Sequence, residues 1–361
     1  MLFRSDIQEP FSEALISLRN LRTLSAPYPD LSRDAFGTIS QRSLLGTLYC
    51  TISAKHAPLL RTPHLHPIFF AGLRVLNICC EPNDLGTLAR FLSVLSAPSS
   101  LDALQIQSKL GLNLEALPIL IAAIGRFKNL CGLVLHLDLS ADAAIIHNPF
   151  DLLLDSSILS PLLALHRLKL LDLQGIPIAF WQREGIPEFS KAWPRLSHFA
   201  LYHLDGPDLS LLQPVMCLSL EDLSYFAIHC PMLERIRVSL QPIPAYWAYN
   251  RTSDLPLSFA YRIDWKGSQI AADAVEEVSS YLASVFPLAR LTDDGWGSRP
   301  RTTEEAVTTE IQKARDNLVS ESIGNLHHER DSVWKAHLHL TSGPEYKFIS
   351  SLRTKSYRTF R

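Results

Sequence analysis

A short apolar phrase returns at a nearly constant spacing along this chain. The pattern L-x-x-L-x-I begins at Leu73 and again at Leu101, and L-x-x-L-x-L begins at Leu130. The steps between these three phrases are therefore 28 and 29 residues. A fixed period of this size, with one apolar phrase per unit, predicts a solenoid in which each unit buries its hydrophobic face only against its neighbours.

The same register extends through most of the chain. The first apolar residues of the successive units are Leu21, Leu45, Leu73, Leu101, Leu130, Leu168, Leu196, Leu233 and Leu288. The last step of 55 residues is close to twice 28. We therefore expect one further, degenerate unit around Leu257 to Ile263. The sequence predicts about ten repeats, which together form one solenoid domain over residues 1–292.

Each unit is expected to contain one strand and one helix. The alternation L-x-L places two side chains on one face of a strand. Between the phrases, the leucines from Leu85 to Leu95 recur at the steps of 3, 4 and 3 that mark one face of a helix. Pro194, Pro231 and Pro287 stand just before strand phrases, where proline ends a helix. The prediction is an α/β leucine-rich-repeat solenoid, with a parallel sheet on the concave side and helices on the convex side.

The candidate binding residues are those interleaved with the buried leucines. They are Gln105, Gln107, His136, Asp172, Gln174, His198, Tyr202, Arg235 and Arg237. In a solenoid such side chains form one stripe across successive strands, which suits a protein partner. Tyrosine and arginine often anchor interfaces, although any one of these positions could equally serve only to solvate the sheet. We expect Leu104→Asp to be costly and Gln105→Asp, on the solvent side, to be nearly silent.

Three longer runs resemble a known family. The runs WPRLSHFAL, LSLEDLSYFAIHCPMLERIRVSL and GSQIAADAVEEVSSYLASVFPLARL are similar to the leucine-rich regions of fungal F-box proteins, of the ribonuclease-inhibitor-like superfamily. The resemblance covers Leu18 to Leu291 and implies a protein–protein recognition module that binds the substrate of a cullin-type ubiquitin ligase. No leucine-proline-acidic F-box opening is seen. The ligase adaptor is therefore an expected partner only if an F-box lies upstream of Met1.

A second interpretation remains open beside the ligase one. The chain would then be a stand-alone leucine-rich-repeat scaffold, or a regulator of another enzyme unrelated to ubiquitin. An F-box in the upstream reading frame would separate the two. Both interpretations expect a monomer with a protein partner of unknown identity.

Composition and motifs argue against several other classes. Lys plus Arg is 34 and Asp plus Glu is 36, so no overall charge recruits nucleic acid or an anionic membrane. No nucleotide-binding, hydrolase or zinc-protease motif occurs, so we expect no enzyme, no cofactor and no metal site. The N-terminus lacks the features of a signal peptide, which predicts a cytoplasmic or nuclear location. The six cysteines contain no C-x-x-C pair and are expected to be buried thiols.

The composition changes after Asp293. Residues 294–300 are predicted to be a linker, and Thr302 with Glu305 forms a capping box that opens a polar helix. The segment 293–345 could thus cap the open end of the last repeat. Residues 346–361 contain five basic and no acidic residues. They are expected to form a flexible, solvated tail, with RNA contact as the alternative.

Overall fold

The structure is a computed structural model of the chain, and its description is confined to part of the sequence. The described residues are 13–26, 31–53, 56, 70–80, 85–95, 100–110, 115–139, 153–176, 178–179, 185–202, 217–241, 243, 260, 262–265, 274–287 and 290–291. The predicted C-terminal segments 293–345 and 346–361 lie outside them, and their assignment stays a prediction.

The strands recur at the positions that the apolar phrase predicts. They are β1 (Thr23–Ala26), β2 (Thr47–Ile52), β3 (Val75–Cys80), β4 (Ala103–Leu110), β5 (Gly132–Leu139), β6 (Leu154–Asp155), β7 (Leu170–Gln174), β8 (Ile178–Ala179), β9 (His198–Tyr202), β10 (Arg235–Val238), β11 (Arg262–Trp265) and β12 (Arg290–Leu291). The two-residue strands β6 and β8 fall outside the repeat and pair with each other. Nine of the other strands begin two residues after a predicted repeat start. The tenth, β11, lies at the expected degenerate unit, so that prediction is confirmed.

Helices lie between the strands. They are α1 (Arg33–Ser40), α2 (Leu85–Val94), α3 (Ala116–Ile124), a 3₁₀ helix (Ser156–Ala164), α4 (Gly185–Ala192), α5 (Asp222–His229) and α6 (Val275–Val285). Helix α2 buries Leu85, Leu88 and Leu92, which form the predicted apolar stripe. Helices α4, α5 and α6 end two residues before Pro194, Pro231 and Pro287, as the position of those prolines predicts. No described helix is long and apolar enough to cross a membrane.

The chain divides into two compact units. Unit 1 comprises Met1–Pro194 and Ala200–Cys217, and unit 2 comprises Arg195–Phe199 and Leu218–Arg361. The division falls within β9, whose first two residues belong to unit 2 and whose last three belong to unit 1. Each unit is described by itself below.

In unit 1 the strands β1, β2, β3, β4, β5 and β7 pair in chain order, and every one of these pairings is parallel. The register aligns one apolar residue from each strand: Leu24, Leu48, Leu76, Leu104, Leu133 and Leu171. All six are buried. Because parallel strands need long crossovers, this sheet requires the helices that the sequence places between the phrases. The predicted α/β class with a parallel sheet is confirmed.

Buried rings fill the start of unit 1. Phe36, Phe70 and Phe91 meet edge to face, with ring centroids 5.7 to 6.1 Å apart. Phe70 has a left-handed backbone with φ of 56°, an uncommon conformation whose cost is offset by burying the ring in this cluster. His56 packs on Phe36, accepts a hydrogen bond at Nδ1 from the Ser53 backbone and donates from Nε2 to a backbone carbonyl.

Unit 2 repeats the same plan. Strands β10, β11 and β12 pair in parallel and in chain order. Phe199 stacks on Phe226 of α5, with ring centroids 4.4 Å apart. The buried hydroxyl of Tyr281 in α6 donates to the Leu220 carbonyl at 3.0 Å. The first contact joins α5 to a strand, and the second joins α6 to the turn before α5, as the packing of neighbouring repeats in a solenoid requires.

Candidate functional site

The side chains that alternate with the buried leucines of unit 1 lie in two rows, which together we call the polar face. The register gives the Gln105 row as Ser25, Tyr49, Asn77, Gln105, Val134 and Asp172. It gives the Gln107 row as Thr51, Cys79, Gln107, His136 and Gln174. The Gln105 row takes one residue from each of the six strands and the Gln107 row one from each strand after β1, because parallel strands repeat the same offset in every unit.

Two amides pair across the middle of the Gln105 row. Asn77 on β3 donates from Nδ2 to Oε1 of Gln105 on β4, with the two atoms 2.9 Å apart. This contact uses one donor and one acceptor of the pair. Asn77 Oδ1 and Gln105 Nε2 are buried and make no hydrogen bond. The pair therefore retains one unused acceptor and one unused donor side by side.

The Gln107 row makes weaker contacts, one of them with Tyr49 of the Gln105 row. The Tyr49 hydroxyl lies 3.6 Å from Cys79 Sγ, and the Cys79 thiol donates to Gln107 Oε1 at 3.9 Å. Burial raises the pKa of Cys79, and the hydrogen bond with Tyr49 opposes that shift only in part. The cysteine is thus kept as a thiol, which can donate, rather than as a reactive thiolate.

At the other end of this row, Tyr202 joins the polar face through its hydroxyl. It donates to Gln174 Oε1 at 2.8 Å, and the tyrosine is buried. Tyr202 lies in the part of β9 that belongs to unit 1. The hydrogen bond places Tyr202 beside Gln174, two of the residues that the sequence predicted for the site.

His136 and Asp172 approach each other without forming a good hydrogen bond. His136 Nε2 lies 3.3 Å from Asp172 Oδ1, yet neither buried atom has a hydrogen-bond partner of acceptable geometry. Together with the two amide atoms, they make four unsatisfied polar atoms on one face. A buried polar group without a partner costs about 1–3 kcal/mol, so such atoms are rare in native proteins. The polar face is therefore built with hydrogen-bonding capacity that the described chain leaves unused.

The expected exposure of the stripe is wrong for five of its nine residues. Gln105, Gln107, Asp172, His198 and Tyr202 are 2%, 8%, 5%, 9% and 4% exposed. Strands about 4.8 Å apart bring these side chains into contact with their neighbours, and several also hydrogen-bond across the strands. The premise that Gln105 faces solvent is wrong for the same reason, and the expectation of a nearly silent Gln105→Asp loses its basis.

The structure brings six of the nine predicted residues together in unit 1: Gln105, Gln107, His136, Asp172, Gln174 and Tyr202. The other three belong to unit 2. There His198 Nδ1 lies 2.9 Å from the Ser197 hydroxyl, and the half-buried Arg235 and Arg237 alternate with buried residues along β10. In the register between β10 and β11, Arg235 is opposite Arg262 and Arg237 is opposite Asp264.

Sequence reasoning missed Tyr49, Asn77 and Cys79. The signal was present, because Tyr49 and Asn77 each follow the first leucine of their unit by four residues, as Gln105 and Asp172 do. The same offset, applied to every repeat, recovers the whole Gln105 row. What the offset does not supply is the contact between the side chains.

The remaining cysteines are consistent with a structural role. All six are free, and burial raises the pKa of Cys217 and of Cys230 to about 12. The expected burial holds for five of them, whereas Cys131 is half-buried. Within the described part of the chain, no three histidine, cysteine or acidic side chains are grouped as a metal site.

Comparison with known proteins finds similar solved structures, and one of them is a leucine-rich-repeat protein. The chain is similar to a leucine-rich repeat-containing protein, LegL7 from Legionella pneumophila, with 15% sequence identity, 81% of each chain covered and a TM-score of 0.34. No protein-family model matches the sequence, and no curated protein is similar enough to count as a match. A proposal for function therefore has to start from the polar face.

Proposed function

We propose that this chain is a non-catalytic protein-recognition module, and that the polar face of unit 1 receives an extended segment of a partner protein. The observation that carries the proposal is the pair of unsatisfied amide atoms, Asn77 Oδ1 and Gln105 Nε2. Burying such a pair without hydrogen bonds lowers the stability of the folded chain. A bound partner that hydrogen-bonds to both atoms recovers this free energy.

The unused atoms match the chemistry of a peptide group. Gln105 Nε2 is a donor and Asn77 Oδ1 is an acceptor, on side chains joined at 2.9 Å. A peptide group presents one carbonyl acceptor and one N–H donor. One peptide group of a partner, or one asparagine or glutamine side chain, can thus complete both residues. Each new hydrogen bond to one of these atoms contributes about 0.5–1.5 kcal/mol to binding. It also removes the larger desolvation cost of an unsatisfied buried atom.

Access to the pair follows from the pattern of exposure. Asn77, His136 and Gln174 are half-buried, so part of each side chain reaches the surface. Gln105 is deeper, but its side chain has rotatable bonds that allow its amide to turn toward a segment lying over Asn77. A partner would therefore dock first on the half-buried side chains and engage Gln105 afterwards.

The test uses peptides of known sequence. Random peptides displayed on phage are selected on the whole chain, and the affinity of the selected peptides is measured by fluorescence anisotropy. The double variant Asn77→Leu/Gln105→Met removes the four amide atoms while keeping the approximate side-chain volumes. We expect it to fold and to bind the selected peptides about tenfold more weakly or worse.

A matched control lies on a helix of the same unit. Ile119 in α3 is 59% exposed, and Ile119→Ser should leave peptide binding unchanged. The proposal fails if no peptide is selected, or if the folded double variant binds the selected peptides as tightly as the original chain.

The residues of unit 2 are proposed as further contacts on separate grounds. Arg235 and Arg237 are half-buried, and arginine is enriched among the residues that dominate interfaces. Joint replacement of both by alanine should weaken the binding of any partner that uses this strand by about 2 kcal/mol or more. Peptide binding that is indifferent to the change would confine recognition to unit 1. His198 and Gln107 stay predicted contacts as well.

The biological setting that we propose is substrate binding for a cullin-type ubiquitin ligase, by a monomer in the cytoplasm or nucleus. It is supported by the resemblance of the three sequence runs to fungal F-box proteins. The alternative is a stand-alone scaffold or a regulator of another enzyme. Mixing the purified chain with the ligase adaptor separates them. We expect this chain by itself not to bind the adaptor, and tight binding would assign it to the ligase directly.

A further inference from the structure

We infer that Asp172 and His136 form a subsite on the polar face for a basic side chain, lysine or arginine, of the bound segment. The inference rests on the proposed function, because it specifies which partner segment the polar face accepts. It concerns two atoms that the amide pair does not use, His136 Nε2 and Asp172 Oδ1.

The carboxylate of Asp172 lacks the hydrogen bonds that such a group needs when buried. The residue is 5% exposed, and its Oδ1 makes no hydrogen bond. It lies beside His136, whose Nε2 is 3.3 Å from Asp172 Oδ1 in poor hydrogen-bonding geometry. A buried carboxylate is stabilised most by N–H donors that carry a positive charge. An ammonium or guanidinium group would supply them.

The described part of the polar face leaves that positive charge to the partner. The register places Val134 beside Asp172, and Val134 is buried and apolar. Among the side chains that the structure describes on the polar face, Asp172 is the one carboxylate, and none is a lysine or an arginine. The side chains of Lys109 and Asp138 lie outside that description. The charge complementary to this face is therefore cationic.

The distance between the two parts of the site sets the spacing in the ligand. Gln105 on β4 and Asp172 on β7 are in the same row, with β5 between them. Two strand spacings amount to roughly 10 Å, which an extended segment spans in about three residues. The basic residue should thus lie about three positions from the peptide group that pairs with Asn77 and Gln105. The intervening residues would pass over Val134 and should be apolar there.

The experiment compares peptides selected on the original chain with the same peptides carrying one change. We expect the selected peptides to share a lysine or arginine at one position. Replacing that residue by acetyl-lysine, which removes the charge, should weaken binding about tenfold or more. This arm uses the unmodified chain and does not depend on the folding of any variant.

The matching variant is Asp172→Asn, which keeps the shape and removes the charge. It should weaken binding of the original peptide about tenfold, while the acetylated peptide should bind the two chains equally, as a double-mutant cycle requires. Asp102→Asn is the control. Asp102 is a partly exposed carboxylate that pairs with Arg74 at 3.2 Å and belongs to neither row of the polar face, so its replacement should leave binding unchanged.

The outcomes separate this inference from the proposed function. Selected peptides without a shared basic residue, or equal binding of the charged and acetylated peptides, overturn the subsite. If those peptides still lose affinity for the Asn77→Leu/Gln105→Met variant, recognition by the polar face stands. Peptides that are indifferent to both changes, or no selected peptides at all, overturn both.

Discussion

At strand β4, the two faces of the sheet in unit 1 exclude water to a similar extent, but their side chains satisfy their polar atoms differently. Leu104 and Gln105 are consecutive on β4, and they are 1% and 2% exposed. Leu104 is aligned with leucines of the neighbouring strands, whereas Gln105 is aligned with Asn77 and Val134 and keeps an unsatisfied amide. A low exposed fraction alone therefore does not identify a residue of the hydrophobic core. The face that violates the rule of satisfied polar groups is the better candidate for function.

The two faces also differ in how far they repeat. The row that contains Leu104 has leucine in all six of the strands β1 to β5 and β7. The Gln105 row changes residue type at every strand over the same span. Each unit buries its leucine in the same environment, so the same residue recurs. A surface that recognises one particular partner needs a different group at each position.

The largest effect is expected from a charge on the apolar face. Leu104→Asp would bury a carboxylate among the leucines with no partner, at a cost of about 3–5 kcal/mol. That is much of the stability of a typical domain. Urea denaturation followed by circular dichroism would measure it. Leu104→Met, which conserves the volume, should cost less than about 1.5 kcal/mol. A small effect of the aspartate on stability would show that water reaches this face of the sheet.

A smaller effect is expected from the same charge on the polar face. Gln105→Asp places a carboxylate in a buried site that still contains the Asn77 Nδ2 donor, so we expect a cost of about 1–3 kcal/mol in the same assay. Ser25 on β1 belongs to the same row but is exposed. Ser25→Asp should therefore be nearly silent. Equal denaturation midpoints for the Gln105 and Ser25 variants would contradict the burial of the row.

Removing one hydroxyl from the polar face should cost less. Tyr202→Phe loses the hydrogen bond to Gln174 Oε1, and we expect the free energy of unfolding to fall by about 0.5–1.5 kcal/mol. Gln174 is half-buried, so water can replace part of the lost contact. Tyr225→Phe, at a partly exposed tyrosine of α5, is the control and should be silent. Identical stability of the two variants would mean that the Tyr202 hydroxyl contributes no net stabilisation.

The smallest effect on stability is expected from the variant that most affects binding. Asn77→Leu/Gln105→Met removes a hydrogen bond together with two unsatisfied atoms. Replacing both partners by apolar groups of similar shape is nearly neutral or stabilising. We expect a denaturation midpoint equal to or above that of the original chain. A loss of more than about 2 kcal/mol would show instead that the amide pair is part of the structural core.

The sequence by itself determined the positions of the repeating elements. The step from one apolar phrase to the next located nine strands, the doubled step before Leu288 revealed β11, and three prolines marked the ends of helices. These features follow from periodicity and backbone geometry, which act locally and alike in every unit. The same offset would also have located Tyr49 and Asn77.

Only the tertiary structure decided what the interleaved residues do. Gln105 and Asp172 are polar, and the sequence pattern predicts them at a wet surface, yet both are buried. His136 meets Asp172 across a step of 38 residues between repeat starts, and Asn77 meets Gln105 across a step of 28. Which side-chain atoms pair and which remain unsatisfied depends on the register between strands and on side-chain rotamers. Those contacts are set when the strands pack side by side, and no periodicity along the chain encodes them.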